Sequence, residues 1–398
     1  MRYAVIMAGG SGTRLWPMST TDRPKQLIPF LAGRSLLQIS MDRLDGLVDA
    51  DRRCVCAGES HRAIILQNLP GLSDDRYFGE PMGRDTLNAV GLSAALIAQR
   101  DPHAVIATFT ADHIIEPVPV FQRIVRQGFE LAERHPELLV TFGIRPTFPA
   151  TGYGYLELGD AIEGELPGAI PGVIPGVIPG ARKCEVDFDF TVRGELPGAI
   201  PGAIPGARKV RQFREKPDAL TAQQYLDAGP TRYLWNSGMF IWHAATLLRC
   251  MEKFAPENFR GLMRIAAGEP IAAVYPTLPK ISVDYAVMEP AGRDSEVSVA
   301  TLAMDLTWLD VGSWPSYAKA HDSDVAGNAR SHEKSLLLDC TDTLAVSEDP
   351  DHIIAAVGVK NLVIVHTPRA TLVCPQDQAE RIKELHKQIG EKFGKQYL

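Results

Sequence analysis

Residues Tyr3 to Ala8 form an unbroken apolar run that ends abruptly at Gly9-Gly10. A short run of that kind, closed by glycine, reads as a strand buried on both faces and followed by a loop. Further apolar runs at 53–57, 104–110 and 138–144 are separated by helical stretches at 35–44, 86–99 and 121–133. This alternation predicts βαβ units and an α/β fold with a Rossmann-like mixed, mostly parallel sheet.

After about Asp322 the rhythm changes. Short strands are predicted at 335–338, 343–346 and 353–357, then a hairpin from 361–366 into 371–374. A terminal helix places Ile382, Leu385, Ile389 and Phe393 on one apolar face. The 398 residues are therefore divided into an α/β domain over 1–324 and a small C-terminal β-rich domain over 325–398 that ends in a helix. Packing or dimerisation, rather than chemistry, is the expected role of the second. Within the first domain stands a repeat, because GELPGAIPGVIPGVIPGARK at 164–183 returns as GELPGAIPGAIPGARK at 194–209. Proline at every fourth residue excludes helix and central strand, so 164–209 is expected to be a turn-rich surface insertion outside the chemistry.

Charge and cysteine content narrow the function. With Lys+Arg 41 against Asp+Glu 48 the chain carries −7, so no basic field exists to hold a nucleic acid. The six cysteines show no C-x2-C pair and no zinc spacing; Cys54 and Cys56, two apart on a strand, are expected as buried thiols on one face. No run of about 18 apolar residues occurs, and the opening stretch is too short for a signal segment. A cytoplasmic protein without a membrane partner is expected.

The loop Gly9-Gly10-Ser11-Gly12-Thr13-Arg14-Leu15 follows the first strand directly. Without Cβ atoms its backbone N–H groups can wrap an anion, and Arg14 adds a bidentate charge for phosphate. It is not a Walker A loop. Leu15 stands where the third glycine of a dinucleotide fingerprint belongs, and Thr13 where the second glycine of a nucleophile elbow belongs. Taken alone it is equally an ordinary βα turn. Its company adds to the signal: Lys25 in Arg23-Pro24-Lys25-Gln26 offers a point charge, and Asp112 follows the strand at 104–110, where open sheets place ligand-binding groups. Asp310, in Trp308-Leu309-Asp310-Val311-Gly312-Ser313-Trp314, supplies a second carboxylate, and carboxylates with substrate phosphates suit Mg2+. Gly154 within Thr151–Tyr155 lets backbone approach a sugar or marks a bulge; Glu215 and Lys216 pair an acid with a base; Asn236 offers an amide between aromatics.

Together the segments VIMAGGSGTRLWPMS, RPKQ, EPMGRDT, TADH, TGYGY, FREKP, WNSGMFIW, SVDYAVME and WLDVGSW resemble the sugar-nucleotide pyrophosphorylase family over nearly the whole chain. The resemblance implies a nucleotidyltransferase domain with a β-helix-like tail, homodimer assembly, and transfer of a nucleotidyl group from GTP to mannose 1-phosphate with release of pyrophosphate. It makes Gly9, Gly10, Gly12, Thr13 and Arg14 the triphosphate loop, Lys25 a charge-balancing group, and Asp112 and Asp310 the Mg2+ ligands. Gly154, Glu215, Lys216, Asn236 and Asp284 fall on the sugar phosphate side, and Glu80, Gly83, Arg84 and Thr86 on the nucleotide side. Ionised Glu80 is an acceptor pair that matches the adjacent N1–H and N2–H donors of guanine. The chain departs from the family pattern G-R-N-T-A-P at Asp85, Leu87 and Asn88, adding a charge and losing a helix-start Pro, and at Leu309, which bears on substrate preference rather than fold. No cupin-like isomerase domain follows, so isomerase activity is not expected. A nicotinamide dehydrogenase fails on the missing third glycine, and a non-catalytic sensor on the presence of Lys25, Asp112 and Asp310.

Overall fold

The computed structural model describes residues 1–10, 12–31, 33–163 and 203–398. Ser11 and most of the Pro-Gly repeat lie outside the described residues. In chain order, β1 (Arg2–Met7) runs into the glycine loop and a small hairpin, β2 (Pro29–Leu31) and β3 (Arg34–Ser35). Ser35 then caps α1 (Leu36–Asp42): its hydroxyl accepts from the Gln38 amide at 3.1 Å while the Gln38 side chain accepts from the Ser35 amide at 2.9 Å. Next come β4 (Arg53–Gly58), α2 (Arg62–Asn68), β5 (Tyr77–Glu80), α3 (Asp85–Arg100), β6 (Val105–Thr110), β7 (His113–Glu116), α4 (Val118–Arg134) and β8 (Leu138–Ile144). β9 (Tyr155–Glu163) and β10 (Ala203–Arg214) flank the undescribed segment, followed by α5 (Ala219–Ala228), β11 (Tyr233–His243), α6 (Ala244–Phe254), α7 (Pro256–Ala266), β12 (Ser298–Met304) and β13 (Thr307–Asp310).

Among the described residues nine strands make the central sheet in the order β5-β4-β1-β6-β11-β8-β12-β10-β9, in which β10 and β11 run against the rest. The mixed, mostly parallel sheet expected from the alternation is present. Successive residues alternate between two cores, as the pleat requires. Val5, Cys54, Cys56 and Ile106 face α3, α6 and α7, while Ala4, Ile6, Val55, Ala57 and Phe109 face Phe121, Val125 and Phe129 of α4. Cys54 and Cys56 share one buried face as predicted, and burial pushes the Cys54 thiol up to about 12.

One expectation needs correction, and one element has no counterpart in the sequence pattern. Residues 203–209 were expected to be turn-rich insertion, yet Ala207, Arg208 and Lys209 pair with Leu302, Thr301 and Ala300 inside the sheet. Beyond Pro205 no proline removes an N–H, so the ladder can form. The ribbon of β7 and β13, with Asp310 opposite His113, was not anticipated at all.

The C-terminal part holds β14 (Ala329–Arg330), β15 (Ser335–Leu338), β16 (Leu344–Ser347), β17 (Ile354–Val357), β18 (Leu362–His366) and β19 (Thr371–Pro375). β14, β16 and β18 stack in parallel, β15 and β17 likewise, and β18 turns antiparallel into β19. A third core joins this part to the first loop: Leu15, Trp16, Val311 and Trp314 pack with Leu344, Val346, Val363, Val365 and Ile382. The terminal helix, Ile382–Phe393, uses only half of its apolar face, because Ile382 is buried while Leu385 and Phe393 remain 40% and 57% exposed. Past it, the Trp16 indole donates to the Tyr397 carbonyl at 2.7 Å. Among the described residues no helix is long and apolar enough to cross a membrane.

Candidate active site

Parallel pairing puts several loops at one end of the sheet. Met7 lies opposite Thr110, and the Ala111 amide donates to the Met7 carbonyl at 3.1 Å, so the glycine loop after β1 and Asp112 after β6 emerge side by side. Gly12 has φ +61°, and a Cβ there would stand 2.6 Å from Cβ of Lys25. Only glycine allows the loop to close over Lys25 in this way. The Gln26 amide ties the loop down by donating to the Gly9 carbonyl at 2.6 Å.

Lys25 Nζ donates to Asp112 Oδ2. Asp310 reaches the same corner through the β7–β13 ribbon, and ligand atoms of Asp112, His113 and Asp310 all lie within 4.8 Å of one another. Burial by itself would raise the Asp112 carboxyl, but the Lys25 ammonium wins and holds it low. Asp310 goes the other way, raised by burial and then by the like charge of Asp112. Two crowded carboxylates under a phosphate-type loop fit a hard divalent cation, which prefers oxygen ligands. His113 is buried and neutral-leaning, since burial lowers it; its Nδ1 accepts from the Trp308 indole at 3.2 Å, which leaves the proton of the neutral ring on Nε2. It therefore orients the corner rather than adding a third ligand.

A second cluster assembles beyond it. The Asn236 amide N–H donates to the Gly154 carbonyl at 2.8 Å, and its side chain donates to Asp284 Oδ1 at 3.0 Å and accepts from the Thr141 hydroxyl at 2.7 Å. A Cβ on Gly154 would stand 2.5 Å from Glu215 Oε2, and Glu215 pairs with exposed Lys216 at 3.2 Å. Gly154, Glu215, Lys216, Asn236 and Asp284 are thus brought together. Burial, then the Glu215 charge, raises Asp284 to about 7. The two clusters share an aromatic wall: Trp308 contacts His113 at 4.9 Å and Tyr153 at 5.3 Å, and Tyr153 contacts Trp235 at 5.2 Å.

The nucleotide-side candidates are only partly free. Glu80, at the end of β5, is buried, and its Oε1 accepts from the Tyr275 hydroxyl at 2.5 Å; Oε2 faces Gly9, where a Cβ would be 3.6 Å away. Arg84 donates to the Pro276 carbonyl, and the Thr86 hydroxyl accepts from the Val283 amide at 3.0 Å, while Gly83 is exposed. Asp85 itself takes φ +64°. Arg14 donates to Glu380 of the C-terminal part at 2.8 Å. Sequence reasoning assigned no role to His113, Trp308, Thr141, Tyr275 and Glu380; the first two lie inside the quoted segments TADH and WLDVGSW, whereas the others carry no local signal.

A nucleotidyl transferase model matches residues 3–165 and 200–327, and a MannoseP isomerase/GMP-like β-helix domain model matches 333–389. Xanthan biosynthesis protein XanB of Xanthomonas campestris pv. campestris is 33% identical over 395 residues, covering 97% of this chain and 72% of that protein. Mannose-1-phosphate guanylyltransferase of Escherichia coli K12 is 32% identical over 404 residues, covering 97% and 73%. A crystal structure from Thermus thermophilus, described as a mannose-1-phosphate geranyltransferase, superposes with TM-score 0.77 and 28% identity over 98% of this chain and 99% of that one.

Proposed function

The chain belongs to the nucleotidyl transferase family, and from that premise we propose that it transfers GMP from GTP to α-D-mannose 1-phosphate, giving GDP-mannose and pyrophosphate. What carries the reading is the corner where Lys25, Asp112 and Asp310 meet under the glycine loop. A sugar phosphate oxygen attacks the α-phosphorus; the new P–O bond forms as the bond to pyrophosphate breaks. The phosphate is already ionised at neutral pH, so no protein nucleophile is needed and catalysis rests on positioning and charge stabilisation. In this reading Gly9, Gly10, Gly12 and Thr13 receive the triphosphate, Arg14 and Lys25 oppose its charge, and Gly154, Glu215, Lys216, Asn236 and Asp284 seat the sugar phosphate. Asp112 and Asp310 would hold Mg2+, which would supply Lewis-acid neutralisation of phosphate charge. Residues 1–324 form the catalytic domain and 325–398 the second domain. A homodimer belongs to the same reading, supported by the apolar side chains that the terminal helix leaves exposed.

Pyrophosphate release tests this, crossing GTP, UTP, dTTP, ATP and CTP against mannose, glucose and N-acetylglucosamine 1-phosphates with Mg2+. GTP with mannose 1-phosphate is expected to dominate. A relaxed nucleotide preference is the second reading, favoured by the engagement of Glu80 Oε1 with Tyr275, which leaves Oε2, on the Gly9 side, as the acceptor for a base. Comparable turnover with GTP and UTP would establish it.

A further inference from the structure

The glycine loop meets the C-terminal part through one side chain. Arg14 Nη1 donates to Glu380 Oε1 at 2.8 Å. Its Nη2 lies beside Gly312, where an added Cβ would be 3.1 Å away, and the Arg14 charge acts on Asp310. The guanidinium is therefore bracketed, with Glu380 on one side and the Asp310–Gly312 turn on the other. Glu380 sits on the turn Gln376–Arg381, whose neighbouring Ala379 and following Ile382 are buried in the core that also contains Leu15. The backbone under Glu380 is fixed, and so is the backbone next to Arg14.

We propose that Glu380 is a positioning residue for nucleotide binding: from the C-terminal part it orients Arg14 toward the triphosphate. This rests on the reading that the glycine loop receives the triphosphate. A guanidinium presents five N–H donors in one rigid plane, so fixing one edge aims the rest, and the single acceptor found at Nη1 among the described residues leaves the other donors to phosphate. Exposed ion pairs contribute little to stability, and both partners here are partly open to solvent, Arg14 at 34% and Glu380 at 66%. What the pair gains is orientation, which reduces the freedom Arg14 loses when phosphate binds. The second domain is then part of the nucleotide site rather than a peripheral support.

The test uses the full chain and the variants Glu380→Ala, Glu380→Asp and Arg14→Ala with Mg2+. Glu380→Ala is expected to raise KM for GTP about tenfold while KM for mannose 1-phosphate and the melting temperature stay unchanged. Glu380→Asp recovers part of the loss, and Glu380→Ala adds nothing in the Arg14→Ala background. A merely structural role would instead lower the melting temperature and shift both KM values together. An unchanged KM for GTP overturns the proposal; so does a lowered one, which would mean that Glu380 competes with phosphate for Arg14. If the wild-type protein turns over no nucleotide and sugar phosphate pair, the proposed function falls. The dissociation constants of Mg-GTP for the same variants, measured by calorimetry, then decide Glu380 separately on the same tenfold criterion.

Discussion

At the residue scale the site is a problem of crowded charge. Asp112 is satisfied by Lys25, whereas at Asp310 burial and the like charge of Asp112 outweigh the nearby charges of Lys25 and Arg14. Replacing Asp310 by Asn relieves that repulsion, so Asp310→Asn should melt no lower than the parent in the absence of divalent ion. Turnover should fall at least about a hundredfold, roughly 2.7 kcal/mol, and Mg2+ should cease to raise the melting temperature. Full activity in this variant would remove Asp310 from the metal corner. Asp284 gives a pH signature. Its folded value, about 7, stands above its ordinary value of 3.8, so the neutral form is the one folding favours. The stabilisation is complete below about pH 4 and is lost as pH rises through 7. Asp284→Asn keeps an acceptor for Asn236 but removes the titration. Its stability should be flatter between pH 4 and 7 than the parent's by on the order of 2 kcal/mol, the full shift being discounted for partial exposure. Parallel stability curves for the two proteins would contradict the assignment.

Elements explain why those residues meet. In the α/β part β1, β4, β6, β8, α1, α3 and α4 were readable, because each is a continuous apolar run or a 3.6-periodic stretch between breakers. The β7–β13 ribbon was not readable, since each strand has only four residues and the pairing joins positions almost two hundred apart. No local pattern announces such a partner. The glycine loop lies between these cases: its composition was visible, but which glycine is irreplaceable depends on Lys25. Gly12→Ala meets both a left-handed φ and the Lys25 side chain, and should cost about 2 kcal/mol or more and reduce turnover over tenfold. Gly10→Ala, at φ +103° with nothing within 4 Å, is the matched control that carries strain without the clash. Equal effects of the two substitutions on turnover would refute the role given to the Lys25 contact.

On the scale of the whole molecule, the shared core of Leu15, Trp16 and Trp314 with Leu344, Val346 and Val365 makes the two parts one folding unit. Leu344 is fully buried there, so Leu344→Ala should destabilise by about 2–5 kcal/mol. Calorimetry should record a single transition moved to lower temperature, with loss of GTP binding following the same curve; two separate transitions would show that the parts fold independently. The chain's own pattern determined the α/β layers, the β-rich tail, the phosphate-type loop and both carboxylates, because periodicity, glycine and charge are local properties. Only the tertiary structure decided that Asp310 faces Asp112, that Tyr275 already holds one oxygen of Glu80, and that Glu380 reaches Arg14. Those contacts join residues far apart in sequence, and their existence depends on register and core packing that no single segment encodes.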